Sequence, residues 1–165
     1  MSDRTSEDSD AGRTPRRAAR LLATDRAGRL LLFRVRRPNG TIFWATPGGG
    51  LEAGESWTEA ARREAREELA LEIDDPGPIV WTVSPRLTMA TCHATPILQE
   101  ERYFQISLDA WRASGAVADF HAEEGIEGAR FWSPAEIVRA QEVGEPEIFP
   151  EELGSFLLRG PASEA

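Results

Sequence analysis

Residues 46–73, TPGGGLEAGESWTEAARREAREELALEI, join three consecutive glycines to a stretch of strong helix formers. No other segment constrains the fold as much. Ser56, with Glu59 three residues on, has the spacing of a capping box and starts a helix that runs from Trp57 to about Ala70. Ala60, Ala61, Ala65 and Leu69 give that helix a narrow apolar face to bury. Glu64, Glu67 and Glu68 stand at i, i+3 and i+4, so their carboxylates share one face and repel one another unless a cation lies among them. Mg²⁺ suits such a site, because hard divalent ions take oxygen ligands, keep some waters and often bridge to phosphates. A glycine-rich loop folded over the helix brings backbone groups to the same point with no side chains in the way. The competing reading is a solvent-exposed helix laced by ion pairs, with Arg63 at i,i+4 spacing from Glu59 and Glu67.

Composition narrows the chemistry. All 19 basic residues are Arg and there is no Lys, which excludes a Walker A loop and a Schiff-base lysine. A phosphate held by a side-chain cation is therefore held by Arg, whose planar fork suits bidentate contact. The net charge of −9 argues against a nucleic-acid partner. Cys92 is the only cysteine, so intramolecular disulfides and cysteine metal clusters are excluded and a cytoplasmic location is expected. No apolar run reaches the ~20 residues that span a bilayer. Residues 1–16 read as a disordered tail and residues 17–160 as one domain.

Along the chain, residues 17–25 and 29–36 read as a hairpin around the turn DRAG. Alternation in the second strand puts Arg34 and Arg36 on one face and Leu31, Phe33 and Val35 on the other. Residues 42–46 form a short strand entering the glycine run, which reads as a loop. Further strands are expected at 77–85, 102–110 and 129–133. The turn-rich segment RLTMATCHATPILQE lies between the first two of these as a loop over a site. Ser133-Pro134 starts another helix, and a last short helix stops near Gly160. The mixture, without a repeating strand–helix–strand unit, implies an α/β fold with a mixed sheet flanked by helices.

The spacing across the whole opening segment decides between the two readings of the helix. Gly49, five residues, Glu55, seven residues, Arg63-Glu64-Ala65, one residue, Glu67-Glu68, one residue, Ala70-Leu71 resembles the Nudix box, G-x5-E-x7-R-E-U-x-E-E-x-G-U with U apolar. The leading glycine and all five charged positions match. Ala70 replaces the usual glycine at the helix exit, where a left-handed residue is normal, so the helix is expected to run on through Leu71.

The resemblance implies an α/β/α sandwich that hydrolyses the diphosphate linkage of a nucleoside diphosphate derivative. By position in the motif, Glu64, Glu67 and Glu68 hold Mg²⁺ (Mn²⁺ as a substitute), with Gly49 offering a carbonyl, while Glu55 and Arg63 form a structural ion pair. Family members draw their general base either from the box, here Glu64 or Glu67, or from a later loop, here Glu123, Glu124 or Glu127. Glu124 is expected to reach the cation as base or extra ligand, and Glu127 to stay away from it. Arg34, Arg36 and Trp44 are candidates for the substrate, with Phe43, Trp81 and Phe104 as further aromatics able to stack a base. His93 and His121 read as structural or exposed. The expected partner is a small nucleotide, with no membrane and with a homodimer as one assembly. A catalytically silent nucleotide-binding or sensor module is the rival function, and the intact carboxylate triad argues against it.

Overall fold

The computed structural model describes residues 14–88, 96–108 and 123–160. In chain order they form β1 (Arg16–Thr24), β2 (Leu30–Arg36), β3 (Ile42–Ala45), β4 (Gly48–Gly50) and α1 (Trp57–Leu69). After these come β5 (Ile79–Thr88), β6 (Ile97–Ser107), β7 (Ile126–Trp132), α2 (Pro134–Val143), β8 (Ile148–Phe149) and α3 (Leu153–Arg159). Cys92, His93, His121 and most of the expected N-terminal tail lie outside the described residues, and Arg16 already belongs to β1.

The turn after β1 is built by Asp25, whose carboxylate accepts hydrogen bonds from the Ala27 and Arg29 N–H groups. The expected hairpin forms only beside that turn. β1 and β2 pair at Thr24↔Leu30 and then diverge. β4 takes the freed edge of β1 at Ala18–Arg20, and β7 takes that of β2. The sheet order β5-β6-β1-β2-β3-β8 is thus forked at its centre. β1 pairs with β6 and β3 with β8 in parallel, and the other pairs are antiparallel, so the sheet is mixed. Among the described residues no helix is long and apolar enough to cross a membrane.

Strand alternation sorts the core into two layers. Ala19, Leu21, Phe33, Val35, Phe43 and Phe104 meet Ala60, Ala61, Ala65 and Leu69 of α1 on one face. Leu22, Leu30, Leu32 and Tyr103 meet Ile137 and Ala140 of α2 and Leu153 and Phe156 of α3 on the other. Trp81 stacks on Phe156 at 4.4 Å, which closes the second layer. The result is the expected α/β/α sandwich.

Three local readings are corrected. The glycine run is a strand rather than a loop: a Cβ at Gly48 would collide with the Ala19 carbonyl, so only a bare backbone lies this close to β1. β6 begins at Ile97, five residues early, because β1 pairs with it from Arg16↔Gln99 onward and its polar Gln99 and Glu101 are buried with partners. α1 stops at Leu69 instead of running on through Leu71. Ala70 adopts the left-handed conformation at φ 53°, with its N–H on the Arg66 carbonyl and the Leu71 N–H on that of Ala65. An alanine there is strained, so Ala70→Gly should raise unfolding free energy by about 1 kcal/mol in urea titrations. No gain would mean the αL alanine is not strained.

Candidate active site

The fork in the sheet opens a cavity of about 420 Å³ between β4 and α1 on one side and β2, β3 and β7 on the other. Its wall on the β2–β3–β7 side is apolar: Phe33, Val35, Phe43, Ala45 and Ile126. Its opposite wall carries Glu64, Glu67 and Glu68 from α1 and Glu124 from the segment leading into β7.

The capping box at Ser56 and Glu59 forms as expected, with both reciprocal hydrogen bonds in place. Arg63, one turn along, ties the helix to the strand and loop before it. Its Nε and Nη2 donate to the two oxygens of Glu55 at 2.8 and 2.9 Å, and Nη2 also reaches the Gly50 carbonyl at 2.9 Å. Nη1 holds Glu64 at 2.8 Å and Glu67 at 3.1 Å. That fork keeps the Glu55 carboxyl below its ordinary value. Arg63 is shifted the other way, chiefly by its hydrogen bonds with Glu55. The exposed-helix reading is therefore only partly right: Arg63 does reach Glu67, whereas Glu59 is engaged at the cap.

Glu68 is 2 % exposed and accepts the Gly48 N–H at 2.7 Å, which couples α1 directly to β4. Burial, reinforced by the Glu64 charge, holds its carboxyl well above the ordinary value. Burial also raises Glu64, against the opposing pull of Arg63. Glu124 is exposed to solvent yet raised by desolvation along the acidic wall, where it neighbours Glu68. Gly49 faces Glu64 so closely that a Cβ would lie 2.5 Å from its Oε1. The carboxylates meet protein partners, and among the described residues no three His, Cys, Asp or Glu side chains are drawn tightly enough together to hold an ion.

The structure thus brings Gly49, Glu64, Glu67, Glu68 and Glu124 to one cavity and joins Glu55 to Arg63. It does not bring Arg34, Arg36 or Trp44 there. By strand alternation all three lie on the opposite face of the sheet. Glu127 ion-pairs with both arginines, and Trp44 packs edge-on against Trp132 at 5.2 Å. The polar-face assignment of the arginines was right, but the cavity opens on the apolar face. Phe43 lines it, whereas Trp81 and Phe104 are committed to the core. Sequence reasoning missed Phe33, Val35 and Ile126, which resemble ordinary core positions. It also missed Arg16 and Arg20, which line the cavity from β1. The available signal for Arg20 was a lone charge inside the apolar run AARLLA.

Solved structures share this architecture. The chain superposes on a MutT protein from Methanosarcina mazei Go1 with a TM-score of 0.64 at 18% identity, covering 90% of this chain and 96% of that one. A NUDIX hydrolase from Nitrosomonas europaea gives 0.55 at 21% identity, covering 90% and 91%. A Caenorhabditis elegans Ap4A hydrolase, solved as a binary complex, gives 0.53 at 17% identity, covering 88% and 99%. At these identities the likeness is one of fold. No match is found among curated proteins. The family model described as NUDIX domain matches residues 14–151, a span that runs from the start of β1 past β8 and takes in both walls of the cavity. With that match over most of its length, the chain belongs to the NUDIX family, whose enzymes hydrolyse phosphorus-containing anhydrides.

Proposed function

We propose that this protein is a Mg²⁺-dependent hydrolase of the diphosphate linkage in a nucleoside diphosphate derivative. The observation that carries this reading is one cavity with two unlike walls: four carboxylates facing Phe33, Val35, Phe43 and Ile126 across the fork of the sheet. The apolar wall accepts the organic part of a nucleotide, and the acidic wall lies where its diphosphate would enter.

The donor chemistry fits a hard divalent cation, which would draw Glu64, Glu67 and Glu68 together from their protein partners. The donors are all oxygen, two of the carboxylates are buried at a cost that a cation would offset, and a glycine leaves room beside Glu64. Glu64, Glu67 and Glu68 would hold the ion, with Gly49 and Glu124 adjoining. When bound, Mg²⁺ supplies charge neutralisation of the diphosphate and a lower pKa for an attacking water. The chain's own contribution is positioning: Arg63 fixes the loop and β4 against α1, Glu68 fixes the Gly48 N–H, and Glu124 stands ready to take a proton from water.

A panel of nucleoside triphosphates, ADP-ribose, dinucleoside polyphosphates, NADH and nucleotide sugars, scored for phosphate release with Mg²⁺ (after phosphatase where needed), tests the activity. Binding without turnover of any of them would support the silent-module reading instead. Mg²⁺ should also raise the melting temperature of the wild type, by mass action on the folded state, and the shift should be lost in Glu68→Gln. At 100 times its Kd the gain is about 2.7 kcal/mol. In EDTA the sign with pH is reversed from that of a salt-bridged acid. Glu64 and Glu68 are raised when folded, so the folded state holds the extra protons. Metal-free stability should fall as pH rises above about 4.3 through their raised values, less steeply in Glu68→Gln. Calorimetry across pH checks both, and equal Mg²⁺ shifts in wild type and variant would remove the ion from this helix.

A further inference from the structure

Three arginines line the cavity: Arg16, Arg20 and Arg63. Arg63 has Nε, Nη1 and Nη2 all engaged by Glu55, Glu64, Glu67 and the Gly50 carbonyl. Arg16 donates Nη1 to Gln99 at 2.7 Å. Arg20 differs from Arg63 in its engagement and from the exposed Arg16 in its burial. It is 9 % exposed on β1, its Nε faces Glu101 at 3.4 Å, and its Nη1 donates to the Thr46 and Gly48 carbonyls at 3.4 and 3.2 Å. Among the described residues its Nη2 donates no hydrogen bond. Nor is that nitrogen sealed away, since the only buried side-chain nitrogen or oxygen without a partner among the described residues is Trp132 Nε1.

The placement of Arg20 is built rather than incidental. Glu101 receives the Tyr103 hydroxyl at 2.7 Å and Gln99 Nε2 at 2.8 Å, so the carboxylate that orients Arg20 is itself held on two sides. The two carbonyls on Nη1 belong to the residues that enter and begin β4, which orients the guanidinium towards the glycine strand. An arginine fixed through Nε and Nη1 presents the remaining Nη2 edge as a rigid pair of donors.

We propose that Arg20 Nη2 is the side-chain donor that binds a non-bridging oxygen of the substrate's diphosphate. This rests on the diphosphate-hydrolase reading above and names the residue that reads the phosphate within it. The chain has no Lys, so an arginine must serve as any side-chain cation for phosphate. Arg34 and Arg36 are turned to Glu127 on the other face, and Arg63 is saturated. Arg20 also lies within electrostatic reach of Glu64 and Glu68, which places it beside the carboxylates where the diphosphate would sit rather than along the apolar wall.

The test uses methylenediphosphonate, a diphosphate that cannot be hydrolysed and carries no base, titrated calorimetrically into the full chain with Mg²⁺. Wild type should bind it. Arg20→Lys keeps the charge and loses the forked donor, and should bind it roughly 10–100-fold more weakly, the range of a charged hydrogen bond. Affinity for Mg²⁺ alone and for adenosine or guanosine should be unchanged. Equal diphosphonate affinity in wild type and variant would overturn the proposal, and so would a loss seen with the nucleosides instead. If Arg20→Lys does not fold, a crystal structure of the wild type with Mg²⁺ and methylenediphosphonate decides. Nη2 within about 3.2 Å of a diphosphonate oxygen supports the assignment, and diphosphonate oxygens held without Nη2 overturn it. Failure of the wild type to bind the probe with Mg²⁺ overturns both this assignment and the hydrolase reading beneath it, whereas a change confined to the variant speaks to Arg20 alone.

Discussion

Glu124→Gln is expected to lower turnover by roughly 10²–10⁴-fold, the range of a lost general base, with a melting temperature close to wild type. Glu124 is solvent-exposed, so an isosteric amide costs little packing, yet it lines the cavity beside Glu68 on the acidic wall. Gly125, with φ 77°, lets the chain bend there, and its carbonyl is held by the Arg36 N–H at 2.9 Å. A Cβ at this glycine would lie 2.8 Å from the Arg36 carbonyl, so the bend that aims Glu124 at the cavity depends on a bare backbone. Glu127, three residues on, is the control. It faces the other side of the sheet and holds Arg34 and Arg36, so Glu127→Gln should keep wild-type turnover. Single-turnover kinetics on whichever nucleotide the panel identifies would measure both. Full activity in Glu124→Gln would return the base to the box, with Glu64 and Glu67 next to be replaced.

Arg63→Ala should cost about 3–5 kcal/mol of stability, the range for removing one partner from a buried charge pair, and should lower the melting temperature by roughly 10 °C. One guanidinium joins Glu55, Glu64, Glu67 and the Gly50 carbonyl, so its loss strands several acceptors at once and detaches the loop from the helix. Its pairing with Glu55 has a pH signature as well. Glu55 is lowered when folded, so its contribution is present above the ordinary carboxylate value and is lost as pH falls through the folded one. Arg63→Ala should remove that acid dependence. Glu67→Gln should behave in the opposite way. It takes a repelling charge from a half-buried position, leaving the fold intact while turnover falls by orders of magnitude. Thermal melts and turnover on the two variants separate the roles. An unfolded Glu67→Gln beside an unaltered Arg63→Ala would exchange them.

Local chemistry was legible in the sequence wherever a spacing fully specifies it. The capping box at Ser56, the shared face of Glu64, Glu67 and Glu68 and the alternation of β2 all follow from helix and strand periods, which act over a few residues, while the pairing of Arg63 with Glu55 was implied by the resemblance alone. The family resemblance rests on the same kind of information, since the box is one loop and one helix. The fork of the sheet was not legible. β1 and β2 look like an ordinary hairpin, and only the arrival of β4 and β7 at their inner edges, from about 30 and about 100 residues away, prises them apart. That divergence decides which face of β2 looks into the cavity. It turned Phe33 and Val35 from apparent core into wall, and set Arg34, Arg36 and Trp44 on the far side. It also placed Arg20 at the site, because a charge inside an apolar strand is stable only where distant partners, here Glu101 on β6 and the carbonyls of Thr46 and Gly48, gather around it. Periodicity says which side chains share a face, but long-range strand pairing decides what that face meets.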